Sequence, residues 1–156
     1  MPARQLRIGV IGSSRPSPEG ARLAEAVGRL LGRAGVILVC GGLGGVMEAA
    51  ARGAAAAGAL TVGLLPGTQA EDANPHIALP LPTGLSYARN ILVVRASQAL
   101  IAIEGGYGTL SEIALALALG VPVIGLNTAY EDPKIRQAGS AEEAVRLALA
   151  AAGEAG

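Results

Sequence analysis

An α/β fold, with a doubly wound and mainly parallel sheet flanked by helices on both faces, is predicted by three observations in this 156-residue sequence. Short apolar runs recur along the chain, of the length expected for strands buried on both faces. Helical patterns separate them, which is the alternation that builds parallel sheets. Two of the runs pass through glycine clusters directly into helices, and both clusters would then lie on one edge of the sheet, beyond the carboxyl ends of its strands.

In chain order, Leu6 to Ile11 reads as the first strand, followed by the polar turn Gly12-Ser-Ser-Arg-Pro-Ser-Pro. A helix is expected from Pro18 to Ala34, because Pro suits a first helical turn and Leu23, Val27, Leu30 and Leu31 recur at helical spacing. Gly12, Ser13 and Ser14 sit where a first strand–helix loop touches a nucleotide, although an ordinary Ser-rich capping turn explains them equally well. Val36 to Cys40 is the second strand, then Gly41, Gly42, Gly44 and Gly45, then a helix of alanines from Val46 to Ala57. Leu60 to Leu65 is the third strand. Residues 66 to 76 are polar and turn-rich and read as a mobile loop, with the single histidine, His76, incidental at its end.

Ile77 to Leu81 reads as a short fourth strand and Leu85 to Ala96 as a helix carrying Arg89 and Arg95. Ala99 to Ile103 is a fully apolar strand leading into Gly105, Gly106 and Gly108. Thr109 then opens a helix to Leu119, stopped by Gly120 and Pro122. Pro122 to Leu126 and Ile135 to Gln137 complete the strands, and Ser140-Ala-Glu-Glu143 is a capping box opening the last helix. No repeat or linker interrupts the pattern, so residues 1–156 read as a single Rossmann-like nucleotide-binding domain.

A strand, glycine turn and helix aim backbone N–H groups and a positive helix end at an anion. Gly105, Gly106, Tyr107, Gly108 and Thr109 are therefore the candidate phosphate seat. Gly41, Gly42 and Gly44 form a second glycine turn with the same potential; tight strand–helix contact is the alternative reason for them, though two such units in one small domain are hard to explain by packing alone. Thr109 and Glu112 also fit a capping box, with Thr109 as the cap and Glu112 reaching back to it. On the wheel of that helix, Leu110, Ile113, Ala114 and Leu117 share one face and Glu112, Leu115 and Leu119 the other. The first face would cover the sheet and the second would meet another subunit.

Composition narrows the function. Twelve basic and twelve acidic residues give no net charge, which argues against a nucleic-acid partner. No apolar run is long enough to span a bilayer, and the amino-terminal residues show no signal peptide, so a cytoplasmic protein is expected. One cysteine and one histidine exclude an internal disulfide and a Cys/His zinc cluster. No cofactor or metal is expected. A Walker loop is absent, and a Ser-His-Asp triad finds no nucleophile elbow.

The block Gly105-Gly-x-Gly-Thr-x-x-Glu112 resembles the signature of the LONELY GUY family, once called "lysine decarboxylase-like". Gly41-Gly-Leu-Gly-Gly-Val-Met and Tyr87-Ala-Arg89-Asn90 resemble two further blocks of it, and the similarity runs from about residue 6 to 126, close to a short bacterial subfamily of Rossmann-like nucleotide-binding proteins. Family members are cytokinin riboside 5′-monophosphate phosphoribohydrolases and their relatives. The resemblance implies a homodimer and a catalytic Arg–Glu pair at Arg89 and Glu112. Arg89 would hold the phosphate or keep Glu112 ionised, and Glu112 would stabilise the sugar cation or prepare the water. A pyridoxal-phosphate decarboxylase is rejected, because the one lysine, Lys134, lies in an acidic loop. Two positions depart from the family pattern. Glu104 places a carboxylate before the glycine cluster, where it repels phosphate unless it is paired, as with Arg89 or Arg95, or protonated, and Asn90 replaces a lysine; both changes weaken anion binding. The alternative to a hydrolase of AMP-like substrates is a non-catalytic carrier for a nucleotide-like ligand, such as the molybdopterin cofactor that relatives of this fold bind.

Overall fold

The computed structural model describes residues 4–155. Its strands are β1 (Arg7–Gly12), β2 (Ile37–Cys40), β3 (Thr61–Leu65), β4 (Leu79–Pro82), β5 (Ala99–Ile103), β6 (Val123–Leu126) and β7 (Ile135–Ala138). The α-helices are α1 (Pro18–Arg33), α2 (Val46–Ala56), α3 (Asn90–Ala96), α4 (Tyr107–Leu119) and α5 (Ala141–Ala155). All strand pairings are parallel, in the order β4-β3-β2-β1-β5-β6-β7. The chain therefore builds outward from β1 on one side and then restarts at β5 on the other. That reversal is the topological switch point at which doubly wound sheets bind ligands.

Two apolar cores lie on opposite sheet faces. One gathers α1, α2 and α5 over Ile8, Val10, Leu38, Ile101 and Ile103. The other gathers α3 and α4 over Ile11, Val39, Leu100 and Ala102. Helices α1 and α2 meet backbone to backbone, since a Cβ on Gly28 would lie 2.0 Å from the Ala50 carbonyl oxygen and one on Gly53 2.1 Å from that of Glu25. The small residues of α2 are there for this close approach. Ser17 caps α1 by accepting the Gly20 N–H at 3.0 Å, and Ser140 caps α5 by accepting that of Glu143 at 3.1 Å.

Three expectations need correction. The predicted helix from Leu85 to Ala96 is broken: Ser86 holds a positive φ of 54°, and a 3-10 turn over Ser86–Arg89 precedes α3. Arg89, at the end of this turn, is buried. Helix α4 starts two residues before Thr109, with Gly106 as its cap, so Thr109 and Glu112 are not a capping box. Its buried stripe is Thr109, Glu112, Ile113 and Ala116, while Leu110 and Ala114 face outward. Glu112 thus points into the protein, toward the sheet. Apolar residues surround this helix, so periodicity alone could not choose the inner face.

Candidate functional site

A cleft of about 400 Å³ opens above the carboxyl ends of β1 and β5. Its walls include Gly12 at the end of β1, Gly41 after β2, Tyr87 and Arg89 from the 3-10 turn, and Gly106, Tyr107, Gly108, Thr109 and Glu112 from the turn after β5 and α4. Eight of the sequence-predicted site residues thus meet in one place. Ser13, Gly42, Gly44 and Gly105 do not line it. Ser13 is taken up in structure: its carbonyl accepts the Val46 N–H at 2.9 Å and its hydroxyl accepts that of Arg15 at 3.0 Å. Gly42 packs against β3, where a Cβ would lie 2.7 Å from Leu65.

The first turn of α4 is open. Among the described residues, no protein acceptor meets the N–H groups of Gly105, Tyr107, Gly108 or Thr109. No acidic residue lies in that turn. A Cβ on Gly106 or Gly108 would touch nothing within 4 Å. Glycine inside a helix costs about 1 kcal/mol relative to alanine, so Gly108 carries a cost that no protein contact repays. Space and unused donors at a helix N-terminus together suit an anion. Tyr130 steadies this turn by donating its hydroxyl to the Gly106 carbonyl at 2.9 Å.

Arg89 is 8% exposed. Its Nε donates to the Leu64 carbonyl at 2.8 Å, one terminal nitrogen donates to the Asn90 Oδ1, and the other reaches the Gly41 carbonyl at 3.4 Å. Asn90 continues the chain by donating to Ser111 Oγ at 2.9 Å, and Ser111 donates to the Gly108 carbonyl at 2.7 Å. Asn90 therefore links the arginine to the glycine turn, a job that the lysine of the family pattern could not do with donors alone. Gly41 makes room for the guanidinium, since its Cβ would fall 2.7 Å from Arg89 Nη2.

Glu112 is also 8% exposed and forms no ion pair among the described residues. Burial pushes its carboxyl up to about 7, and the positive charge of Arg89 opposes that shift without cancelling it. Arg89 thus acts on Glu112 in the expected direction, toward the ionised form, but burial outweighs it. Burial likewise lowers the Arg89 pKa and pushes the Cys40 thiol up to about 11, so that sulfur is an inert neighbour. Glu104 pairs with neither Arg89 nor Arg95; it turns away toward α1. Ser14, read with Gly12 and Ser13 as part of the first strand–helix loop, does line the cleft, whereas sequence reasoning did not place Asn90, Leu43 or Met47 in the site. Only Asn90 carried a signal, its position beside the motif arginine.

Among the described residues, no group of three or more His, Cys, Asp or Glu side chains could hold a metal ion. No helix there is long and apolar enough to cross a membrane.

The model of the SLOG cluster4 family matches residues 5–154. An uncharacterised protein of Archaeoglobus fulgidus is 41% identical over 144 residues, which cover 92% of this chain and 95% of that protein. The molybdenum cofactor binding protein from the phototrophic bacterium Rippkaea orientalis is 34% identical, with a TM-score of 0.89 over 94% of this chain and 97% of that one. The Moco carrier protein from Chlamydomonas reinhardtii is 29% identical, with a TM-score of 0.88 over 97% and 99%.

Proposed function

The chain belongs to the SLOG cluster4 family, and from that premise we propose that it binds and carries a small nucleotide-like ligand, of the molybdenum-cofactor kind, through one anionic group. The observation that carries this reading is the open first turn of α4, with unused N–H donors and two glycines that leave empty space. The anion docks there, within reach of Arg89. A cleft of about 400 Å³ suits a single small molecule.

Tyr87 and Tyr107, 80% and 91% exposed, flank the cleft and are the aromatic faces available to a planar base or pterin. Glu112, poised near neutrality, can donate or accept a hydrogen bond deeper in the cleft. The protein groups fit the organic and phosphate parts of such a ligand, and among the described residues no cluster of three or more His, Cys, Asp or Glu side chains would hold its metal.

Binding is tested by calorimetry with molybdopterin, AMP, GMP and ribose 5-phosphate. Tyrosine emission follows the ring, because the chain has no tryptophan to mask it. Micromolar-range binding without turnover supports the carrier; no binding to any phosphate compound sinks it.

A second reading, hydrolysis of the N-glycosidic bond of an AMP-like nucleotide, is favoured by one observation. Arg89 and Glu112 are both buried and both line the cleft. Water would attack C1′ and the base would leave with a proton supplied by a protonated carboxyl such as Glu112. Release of free base and ribose 5-phosphate, abolished in Glu112→Ala, would establish it.

The homodimer is proposed on the outer face of α3 and α4, where Leu85, Ile91 and Leu110 are each more than a third exposed. Light scattering tests it, with Leu110→Lys expected to shift a dimer to monomer.

A further inference from the structure

Glu104 opens the turn after β5, yet its side chain lies on the first turn of α1. The Ser17 N–H donates to Oε1 at 2.9 Å, the Ser17 hydroxyl donates to Oε2, and Asn127 Nδ2 donates to Oε2 at 3.3 Å. Two other features are shaped around this seat. Gly20 is buried in α1 where a Cβ would lie 2.5 Å from the Glu104 carboxyl carbon. Glu104 itself holds a φ of 52°, a left-handed conformation that residues other than glycine adopt only when their surroundings impose it. Glu19 lies in the same helical turn, with its carboxylate paired to Arg22.

Helix α1 follows β1, and in dinucleotide-binding sheets that helix end receives the pyrophosphate. Here the protein's own carboxylate occupies it. Neither Ser17 nor Glu104 lines the cleft, which is bounded on that side by Gly12 and Ser14.

We propose that Glu104 is a specificity-determining residue: it fills the positive end of α1, so that the ligand finds one anion seat, on α4, and the protein selects a monophosphate ester over a pyrophosphate-bridged dinucleotide. The inference rests on the reading of α4 as that seat. The ends of α1 and α4 both follow the carboxyl ends of neighbouring strands, β1 and β5, and the Glu104 side chain covers that of α1. A pyrophosphate could engage both only if the carboxylate withdrew, and a second anion beside it would meet like charge.

Calorimetry on the whole protein tests this with AMP and ADP-ribose. The wild type is expected to bind AMP at least about tenfold more tightly. Glu104→Gly relieves the left-handed backbone and uncovers Ser17, and should gain about tenfold in ADP-ribose affinity while AMP binding is unchanged. Glu104→Asn, which tolerates that backbone but is a methylene too short to reach Ser17, should show the same gain and serves if the glycine variant does not fold. A wild-type ratio near one, or a folded variant that keeps the wild-type ratio, overturns the role of Glu104 while leaving the α4 seat intact. Failure of the wild type to bind AMP, ADP-ribose or orthophosphate overturns the seat, and this inference with it.

Discussion

The turns after β2 and after β5 are written in the same local grammar, an apolar strand, a glycine cluster and a helix, yet the fold uses them in opposite ways. In the first, a Cβ on Gly41, Gly42 or Gly45 would strike Arg89, Leu65 or the Ser13 carbonyl at 2.4 to 2.7 Å, and only Gly44 faces open space. The leading N–H of α2 is already bonded to Ser13, and Glu48 sits in its first turn. In the second, Gly106 and Gly108 face open space, the leading N–H groups of α4 meet no protein acceptor among the described residues, and the first turn of the helix holds no acidic residue. Glycine serves close packing in one turn and reserves room in the other. The first turn contributes a wall of the site, and the second supplies donors.

Four substitutions test this contrast. The largest effect is expected at Gly45→Ala, where φ is 72° and the new methyl would sit 2.4 Å from a backbone oxygen. A loss on the order of 3 kcal/mol in denaturant unfolding is expected; a loss too small to measure would show that this turn is not packed as described.

Next is Glu112→Gln. The folded-state pKa is raised from 4.5 to about 7, so the stability tied to the proton is complete below about pH 4.5 and is lost as pH rises through 7. The glutamine variant should therefore be more stable than wild type at pH 8, by on the order of 3 kcal/mol, and equal to it at pH 4. Urea melts at both values read this directly, and identical pH profiles would refute the buried, unpaired carboxyl.

Gly108→Ala separates the two turns most sharply. It should stabilise the fold by about 0.5–1 kcal/mol, since alanine is the better helix former and nothing opposes the methyl. At the same time it should weaken phosphate-ester binding by about tenfold, measured by calorimetry. A variant that binds normally removes α4 as the seat.

The smallest effect is expected at Asn90→Ala, which cuts the link from Arg89 through Ser111 to Gly108. A destabilisation of about 1 kcal/mol and a few-fold loss of affinity are expected; unchanged affinity would mean that Arg89 holds its place through the Leu64 and Gly41 carbonyls alone.

Much of the fold was legible because each strand is a short run buried on both faces, bounded by glycine, proline or polar turns. Ala99–Ile103 is the clearest case, predicted and observed with the same ends. The break at Ser86 was not legible, because Leu85 to Ala96 has acceptable helical spacing and the inward pull on Arg89 comes from Leu64 and Gly41, distant in sequence. The candidate site was legible as motif residues, and eight of them converge on the cleft. Their individual roles were not. Glu104 read as a hindrance to anion binding, and the partners that turn it aside, Ser17 and Asn127, lie 87 and 23 residues away.

The strand–helix alternation, the parallel sheet and the edge on which the glycine turns lie follow from local pattern, because burial patterns, caps and turn residues act within a few positions of one another. Tertiary structure alone decided which glycine turn is filled and which stays open, which way Glu112 and Glu104 point, and how far burial moves the Glu112 proton. Those outcomes depend on which atoms of remote segments occupy the space beside each group, and local pattern carries no record of that.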